Sequence, residues 1–392
     1  MSIPHFIGGN HITLLHNGME YLPKLEAAID AAQLEIYLET YIFEYDPIGI
    51  NITEALKRAA HRGVAVHLLI DGFGSYNLPR EIIQEMLDAG VQVLIFRKET
   101  FLFRLRRYRL RRMHRKLAVL DARIAFVGGI NIIDDLRNPE ALSPRFDYAV
   151  LIEGPLLIKI HSAARHLWML VAWAHFKKRW TGQVALQPTQ ESYGNQRAAF
   201  VIRDNLRHRH DIERIYLNAI NNARNEIIIA NAYFLPGIRF RHALNNAAQR
   251  GVSVELLLQG RIEYRLQHYA THALYGDLLD AGIRIYEYNR SYLHAKVAVI
   301  DQHWATVGSS NIDPFSLLLA REANVVIDDE SFASELRSSL KQAITEESVA
   351  VVRENWKAQS WLSHAINWVS YYIMYFIQSL SGYGQKNSKP NE

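Results

Sequence analysis

The chain has 392 residues, 49% hydrophobic and 21% charged, with a formal net charge of +4. This length and apolar content suffice for two domains of ordinary size, and the mild positive charge favours anionic partners only weakly. The absence of cysteine excludes disulfides and thiolate metal sites.

The opening residues show no export signal. MSIPHFIGGNHITLLHNGMEYL has no basic stretch followed by an apolar core, and nothing near it reaches the about 20 apolar residues that a membrane-spanning helix needs. We therefore expect the chain to reside on the cytoplasmic side of the membrane.

The predicted elements then occur in the same order twice. In the first half an amphipathic helix over 21–32 precedes the strand LEIYLETYIF, a helix, GVAVHLLIDG, a second helix and AGVQVLIFR. In the second half IERIYLNAINNAR precedes NEIIIANAYF, GVSVELLLQG and AGIRIYEYN in that order. Helices alternating with short apolar strands predict an α/β fold of two pseudo-symmetric lobes, each with a mostly parallel sheet flanked by helices. We expect the lobes over 1–185 and 186–355, followed by a C-terminal segment over 356–392.

A polar motif stands at the same place in both halves: His-x-Lys, four residues, Asp, six residues, and Gly-[Gly/Ser]-x-Asn. The first copy consists of His114, Lys116, Asp121 and Asn131; the second consists of His294, Lys296, Asp301, Ser309 and Asn311. Two copies in register with an internal repeat are far more specific than one.

The spacing of the motif favours phosphodiester chemistry. Residues two apart on a strand point to the same face, so each histidine emerges beside its lysine. Lysines and asparagines stabilise the charge that develops on phosphoryl oxygens, and an imidazole can act as nucleophile or acid–base. A metal site is the rival interpretation, but His-x-Lys is poor ligand spacing and an ammonium repels a divalent cation. We expect neither a metal nor a cofactor.

The duplicated motif resembles that of the phospholipase D superfamily, and nearly the whole chain resembles bacterial cardiolipin synthases of the shorter, class B type without N-terminal membrane helices. The resemblance is carried by GNHITLLHNGMEYLPKLEAAIDAA, YLETYIFEYDPIG, RRMHRKLAVLDARIAFVGGIN and YLHAKVAVID. It implies a fold of two lobes with one active site at their seam, and an enzyme that makes cardiolipin from phosphatidylglycerol and releases glycerol.

The resemblance also implies roles for individual residues. His114 is the expected nucleophile that forms a covalent phosphohistidine, and His294 is the expected acid–base. Asp147 and Glu322 are the expected carboxylates behind the histidines. We group Asp121 and Asp301 with the catalytic motif but expect them to hold it together rather than touch substrate.

A basic run, RKETFLFRLRRYRLRRMHRK, leads into the first motif over 97–116 and contains ten Arg or Lys residues interleaved with apolar ones. This pattern predicts contact with anionic lipid headgroups; a nucleic-acid track and a solvated basic loop are the alternatives. The expected contacts are Arg104, Arg106, Arg107, Arg109, Arg111 and Arg112.

The C-terminal stretch WLSHAINWVSYYIMYFIQSL contains no Asp, Glu, Lys or Arg. Its polar residues recur at helical spacing opposite its apolar ones, which predicts an amphipathic helix in the membrane interface, with Trp361 and Trp368 at headgroup depth. The alternative is a helix that docks on the catalytic body.

Together these features predict an enzyme on the cytoplasmic side of the bacterial inner membrane, either peripheral or anchored in the interface. Its expected partners are phospholipid substrates and an anionic membrane surface, with no nucleic acid. A phospholipase D-type hydrolase, a nuclease and a non-catalytic membrane-binding protein remain alternatives. The sequence leaves the donor lipid and the oligomeric state undetermined.

Overall fold

The computed structural model describes residues 5–97, 111–136, 144–177, 180 and 186–380, apart from the side chains at 315, 318 and 378–380. Across these residues no helix combines the length and the hydropathy needed to cross a bilayer.

The first lobe contains seven strands and four helices in the described ranges. They are β1 (Ile7–His16), α1 (Asn17–Ala31), β2 (Glu35–Thr40), α2 (Pro47–His61), β3 (Ala65–Asp71), α3 (Arg80–Asp88), β4 (Gln92–Phe96), β5 (Lys116–Leu120), β6 (Ile124–Gly128), β7 (Tyr148–Glu153) and α4 (Leu157–Ala174). The expected boundary near residue 185 falls between α4 and the next strand.

The second lobe repeats this order with two additional short helices. Its elements are β8 (Gln196–Arg203), α5 (Asp211–Asn222), β9 (Glu226–Asn231), α6 (Ile238–Gln249), β10 (Ser253–Gln259), α7 (Arg265–His272), α8 (Tyr275–Asp280), β11 (Arg284–Tyr288), β12 (Lys296–Ile300), β13 (Trp304–Gly308), α9 (Pro314–Leu318), β14 (Glu322–Asp328) and α10 (Glu330–Glu346). The chain continues through β15 (Ser348–Ala350), α11 (Arg353–Lys357) and α12 (Trp361–Leu380).

The strands of the described residues form one sheet in the order β15-β11-β10-β9-β12-β13-β14-β8-β1-β7-β6-β5-β2-β3-β4. The lobes meet where β1 pairs with β8. The motif strands β5 and β12 therefore hold equivalent places in the two halves.

The α/β fold with two lobes is confirmed, but the expectation of a mostly parallel sheet is wrong. The parallel pairs are β2–β3 and β3–β4 in the first lobe, and β9–β10 and β10–β11 in the second. Strands β5, β6 and β7 are antiparallel, as are β12, β13 and β14. For β5–β6 and β12–β13 the physical reason is the turn over 121–123 and 301–303, because three residues can close a hairpin but cannot hold the crossover that parallel strands require.

The largest hydrophobic core is shared by the two lobes. It contains buried side chains of α4 and α10 together with residues of both halves of the sheet, among them Leu117, Trp168, Val297 and Leu336. Each lobe has a further core under its outer helices. Because the central core belongs to both lobes, packing fixes one lobe against the other and with it the seam at which the motifs meet.

Helix α12 packs on α7, and its buried side combines Met374 of the second-lobe core with two polar residues. Asn367 and Ser370 are only 4% and 7% exposed, whereas the apolar side chains of the opposite face are 42–58% exposed. These are Leu362, Ile366, Val369 and Ile373. The helix thus docks on the body, as one alternative predicted, but leaves its apolar face outward.

Candidate active site

The two motif histidines, His114 and His294, are positioned by backbone pairing across the seam. The amide N–H of His114 donates to the carbonyl of Arg321 at 2.9 Å, and Arg321 in turn donates to Arg112 at 2.7 Å. In the mirrored arrangement, the N–H of His294 donates to the carbonyl of Phe146 at 2.9 Å. Each histidine segment is therefore tied to the residues that lead into a strand of the opposite lobe.

This pairing produces crossed histidine–carboxylate dyads. His114 Nδ1 lies 3.0 and 3.1 Å from the two carboxylate oxygens of Glu322, and His294 Nδ1 lies 2.6 Å from Asp147 Oδ2. Both carboxylates are buried. A carboxylate that accepts the Nδ1 proton leaves the Nε2 lone pair of the imidazole free for chemistry.

The residues behind the two carboxylates differ. The hydroxyl of Ser309 donates to Glu322 at 2.5 Å and accepts from the N–H of Ala323 at 3.0 Å. At the equivalent place in the first lobe is Gly129, where an added Cβ would lie 2.4 Å from Asp147 Oδ1. A serine therefore accompanies the glutamate, and the aspartate requires glycine.

The two lysines are fully buried beside the histidines. Lys116 Nζ donates to the carbonyl of His114 at 2.8 Å, and Lys296 Nζ donates to the carbonyl of His294. Burial lowers the pKa of Lys116 to about 7 and that of Lys296 to about 8, although Glu322 and Asp147 oppose the change. Two buried lysines whose charged form an anion would stabilise make an electrostatic site for a phosphodiester.

Burial also controls the other titratable groups. It lowers the pKa of His114, with Glu322 opposing, and it lowers the pKa of His294 well below its ordinary value, assisted by Lys296 and Arg145. Burial raises the pKa of Asp147 to about 6. Neutral imidazoles therefore predominate at neutral pH in the free site.

Asn131 and Asn311 follow β6 and β13 at the same edge of the sheet as the lysines, because Gly128 pairs with Lys116. Both asparagines are buried. Asn131 Oδ1 accepts from the N–H of Ile42 at 3.1 Å, which leaves its amide N–H groups available to a ligand.

Asp121 and Asp301 lie at the opposite ends of β5 and β12, about 16 Å along the strand from the lysines. This distance corrects their grouping with the catalytic residues, because neither aspartate can reach a substrate held by the lysines. The structural role expected for them agrees with their contacts. Each side chain accepts three backbone N–H bonds of 2.8–3.0 Å, Asp121 from Gln33, Leu34 and Glu35, and Asp301 from Arg224, Asn225 and Glu226.

Three residues that contact the motif segments, Tyr41, Asp71 and Gln259, were not found from the sequence. The ring of Tyr41 packs edge-on against His114 at 4.9 Å, and Lys116 Nζ lies 5.2 Å from its centre. Asp71 accepts the N–H of Met113 at 2.9 Å, and Gln259 accepts the N–H of Leu293 at 2.7 Å. The sequence repeat could have identified Asp71 and Gln259, because these two residues end equivalent strands, HLLID and ELLLQ.

A buried ion pair lies on the side of the first motif segment opposite to His114 and Lys116. Arg115 donates to both oxygens of Glu39 at 2.7 and 2.6 Å, and burial raises the pKa of Glu39 while Arg115 opposes the rise. The second lobe has Ala295 and Ala230 at the equivalent positions.

The expected lipid contacts are only partly described. Arg104, Arg106, Arg107 and Arg109 lie outside the described residues. Arg111 and Arg112 are half-buried; Arg112 lies 3.7 Å from Asp71 and 4.9 Å from the ring of Phe73. Trp361 and Trp368 are exposed on α12. Among the residues with described positions, no group of three or more His, Asp or Glu could hold a metal ion.

A family model described as the phospholipase D-like domain of cardiolipin synthase matches residues 25–168 and 216–344, which is more than two thirds of the chain. The chain belongs to this family. Cardiolipin synthase B of Escherichia coli K12 is 40% identical over 96% of this chain and 90% of that protein. A minor cardiolipin synthase of Bacillus subtilis is 27% identical over 93% of this chain and 89% of its own length. The predicted family and the prediction of an enzyme are confirmed.

Solved structures agree at the level of the fold. Phosphatidylserine synthase of Haemophilus influenzae superposes with a TM-score of 0.69 at 11% identity and covers 96% of both chains. Polyphosphate kinase of Porphyromonas gingivalis superposes with a TM-score of 0.59 at 13% identity, over 95% of this chain and 53% of that one. At such identities the likeness concerns the arrangement of elements alone.

Proposed function

We propose that the chain is a phosphatidyltransferase that converts two molecules of phosphatidylglycerol into cardiolipin and glycerol through a covalent phosphohistidine. The observation that carries this proposal is the pair of crossed dyads beside two buried lysines, since two independently oriented imidazoles are what a double displacement needs. The activity named for the relatives agrees with this chemistry.

In the first step, Nε2 of His114 attacks the phosphorus of phosphatidylglycerol. The P–N bond forms as the bond to the glycerol oxygen breaks, and His294 donates a proton from Nε2 to that oxygen. Lys116 and Lys296 stabilise the phosphoryl oxygens, and Asn131 and Asn311 are the proposed additional donors. Glu322 holds the Nδ1 proton of His114, so that Nε2 carries the lone pair.

His294 must be an imidazolium for this step, although its pKa in the free site is depressed. The negative charge of a bound phosphodiester opposes the effect of Lys296 and Arg145 and so raises that pKa. Asp147, at 2.6 Å from Nδ1, stabilises the imidazolium once it forms. Substrate binding thereby produces the protonation state that the chemistry requires.

In the second step, a hydroxyl of another phosphatidylglycerol gives its proton to His294 while its oxygen attacks phosphorus. The P–N bond breaks, and His114 returns to its starting state. Water attacking in place of the lipid hydroxyl would give phosphatidic acid, so the nature of the acceptor separates a transferase from a hydrolase.

We propose that the enzyme attaches peripherally to the cytoplasmic side of the bacterial inner membrane through α12. The support is the orientation of this helix: its polar residues Asn367 and Ser370 are buried against the body, and Leu362, Ile366 and Val369 are exposed. A helix that serves only to cover a core has the reverse orientation. Its exposed Trp361 and Trp368 are of the type found at headgroup depth.

The test is a product assay with phosphatidylglycerol labelled in its headgroup glycerol and dispersed in mixed micelles. We expect cardiolipin and free glycerol in equal amounts from the native chain, and neither from His114→Ala or His294→Ala. Phosphatidic acid without cardiolipin would identify water as the acceptor and contradict the proposal. Full activity in either variant would contradict the assigned chemistry.

A further inference from the structure

Two loops at equivalent places in the lobes carry exposed apolar side chains. They follow β3 and β10, over 72–79 and 260–264, and we call them the rim loops. Phe73 and Tyr76 in the first loop and Ile262 and Tyr264 in the second are 48–62% exposed. Large apolar side chains of this exposure at matching places in a repeat mark an interaction surface when a site lies between them.

The first rim loop lies against the active site. The hydroxyl of Ser75 donates to the carbonyl of Tyr41 at 3.0 Å and accepts the N–H of Phe43 at 3.0 Å. Tyr41 is the residue whose ring contacts His114. At the start of the loop, the Asp71 carboxylate holds the backbone of Met113, next to that histidine. The loop is therefore fixed to the wall of the site.

The second rim loop reaches the site from the other lobe. Glu263 accepts from the Tyr233 hydroxyl at 2.7 Å and pairs with Arg145 at 3.0 Å; Arg145 is close enough to lower the pKa of His294. Burial raises the pKa of Tyr41, and the phenol of Tyr264 adds to the rise. Each rim loop thus borders the active site, the first through Tyr41 and the second through Arg145, which lies two residues from Asp147.

A basic side chain accompanies each rim loop. Arg112, which lies 3.7 Å from Asp71, is 4.9 Å from the ring of Phe73, and Arg261 of the second rim loop lies 5.3 Å from the half-buried ring of Tyr292. Tyr292 precedes the second catalytic histidine by two residues. Exposed apolar side chains beside basic ones suit an anionic bilayer, because the apolar tips enter the interface and the arginines contact phosphates.

We propose that the two rim loops dock on the surface of a bilayer containing anionic phospholipid, so that the mouth of the site opens directly into the headgroup layer. The reason for a bilayer at this mouth rests on the proposed function, and the docking surface is distinct from α12. Docked in this way, the site receives its phosphodiester from the plane of the membrane without lifting the acyl chains into water.

The absence of cysteine makes this surface directly testable in the full chain. Single cysteines at Tyr76 and Ile262 would carry an environment-sensitive fluorophore, with a matched cysteine at Leu34 as the control. The Leu34 side chain is 54% exposed and lies at the opposite end of the strands, beside Asp121. We expect a blue shift, and quenching by lipids brominated in the acyl chain, at 76 and 262 but not at 34, on vesicles of phosphatidylglycerol and phosphatidylcholine.

A double variant gives a second measurement. Tyr76→Ser with Ile262→Ser should lower vesicle partitioning about tenfold through the lost apolar burial, whereas Leu34→Ser should leave it unchanged. Unquenched labels at 76 and 262 on vesicle-bound protein, equal changes at all three positions, or no binding to vesicles would each overturn the proposal. A lack of phosphatidyl transfer by the native chain on monomeric short-chain phosphatidylglycerol would refute the proposed function and leave the vesicle result intact.

Discussion

The crossed dyads predict the consequence of replacing Glu322 with glutamine. The Glu322 carboxylate accepts hydrogen bonds from two sides, from His114 Nδ1 at 3.0 Å and from the Ser309 hydroxyl at 2.5 Å. The serine proton favours Glu322 over its other acceptor, the Ala323 carbonyl, because the two bonds measure 2.5 and 3.3 Å. In Glu322→Gln the serine therefore selects the amide oxygen, and the amide NH₂ turns toward the histidine. An imidazole that accepts from this amide at Nδ1 carries its proton on Nε2 and loses the nucleophilic lone pair; this tautomer competes with the one in which Nδ1 donates to the Ser309 carbonyl at 3.1 Å.

The expected loss is large and falls on turnover. Placing a histidine in the wrong tautomer by the same type of change costs about 10⁴-fold in kcat in the serine protease triad, equivalent to about 5.5 kcal/mol of transition-state free energy. The glutamine keeps the size of the side chain, so KM should change little. Ser309→Ala alone should cost only about tenfold, because one hydrogen bond is lost and the carboxylate remains.

The double variant Ser309→Ala/Glu322→Gln makes the reasoning refutable. Without the hydroxyl the amide can rotate, return its oxygen to Nδ1 and restore the active tautomer, so the double variant should be more active than Glu322→Gln. The assay is cardiolipin formation under saturating phosphatidylglycerol, with thermal unfolding as the control for folding. A folded Glu322→Gln within tenfold of the native kcat, or a double variant no more active than the single one, would refute the tautomer argument.

Three other changes have defined outcomes. The kcat/KM for phosphatidylglycerol should fall as pH rises through 7 to 8, because Lys116 and Lys296, with pKa values of about 7 and about 8, lose the charge that binds the phosphodiester; a profile that keeps rising to pH 9 would contradict this. Asp301→Asn should lower the free energy of unfolding in urea by about 2 kcal/mol through weakened backbone hydrogen bonds, with kcat of the folded protein within a few-fold of native; a selective loss of kcat would return Asp301 to the chemistry. Arg115→Ala should cost about 3–5 kcal/mol of stability because Glu39 stays buried without its partner, and Glu39→Ala in addition should recover part of that loss in urea titrations, since the other lobe folds with alanines at both places; an additive double variant would argue against the pairing.

Much of the fold followed from local patterns. Short apolar runs alternating with helices identified the strands, and a motif repeated in register identified both His-Lys pairs, because these signals lie within a few residues of each other. The strand directions were missed, although the turn between Leu120 and Ile124 is too short for a crossover. The hydrophobic periodicity of a buried strand carries no information on the direction of its neighbour. The length of the connection between two strands does carry that information.

The crossed pairing could not be predicted from the sequence. Asp147 and Glu322 were expected behind the histidines, but their partners depend on which segments pair at the seam, and that is decided by the shared core. Tyr41 was missed for a similar reason, because it lies 73 positions before His114 (114 minus 41) and approaches it only after β2 and β5 have paired. Contacts between distant segments leave no local pattern.

The crossed dyads also bear on how such a site arises and changes. A chain of half this length would build the same catalytic centre by associating with a second copy about a twofold axis, each copy lending its carboxylate to the other. After gene duplication and fusion, the two halves could diverge in sequence. In this chain they differ at two equivalent pairs, Gly129 with Asp147 and Ser309 with Glu322. Neither half can evolve alone, however, because a substitution that shifts a carboxylate in one lobe disables the histidine of the other.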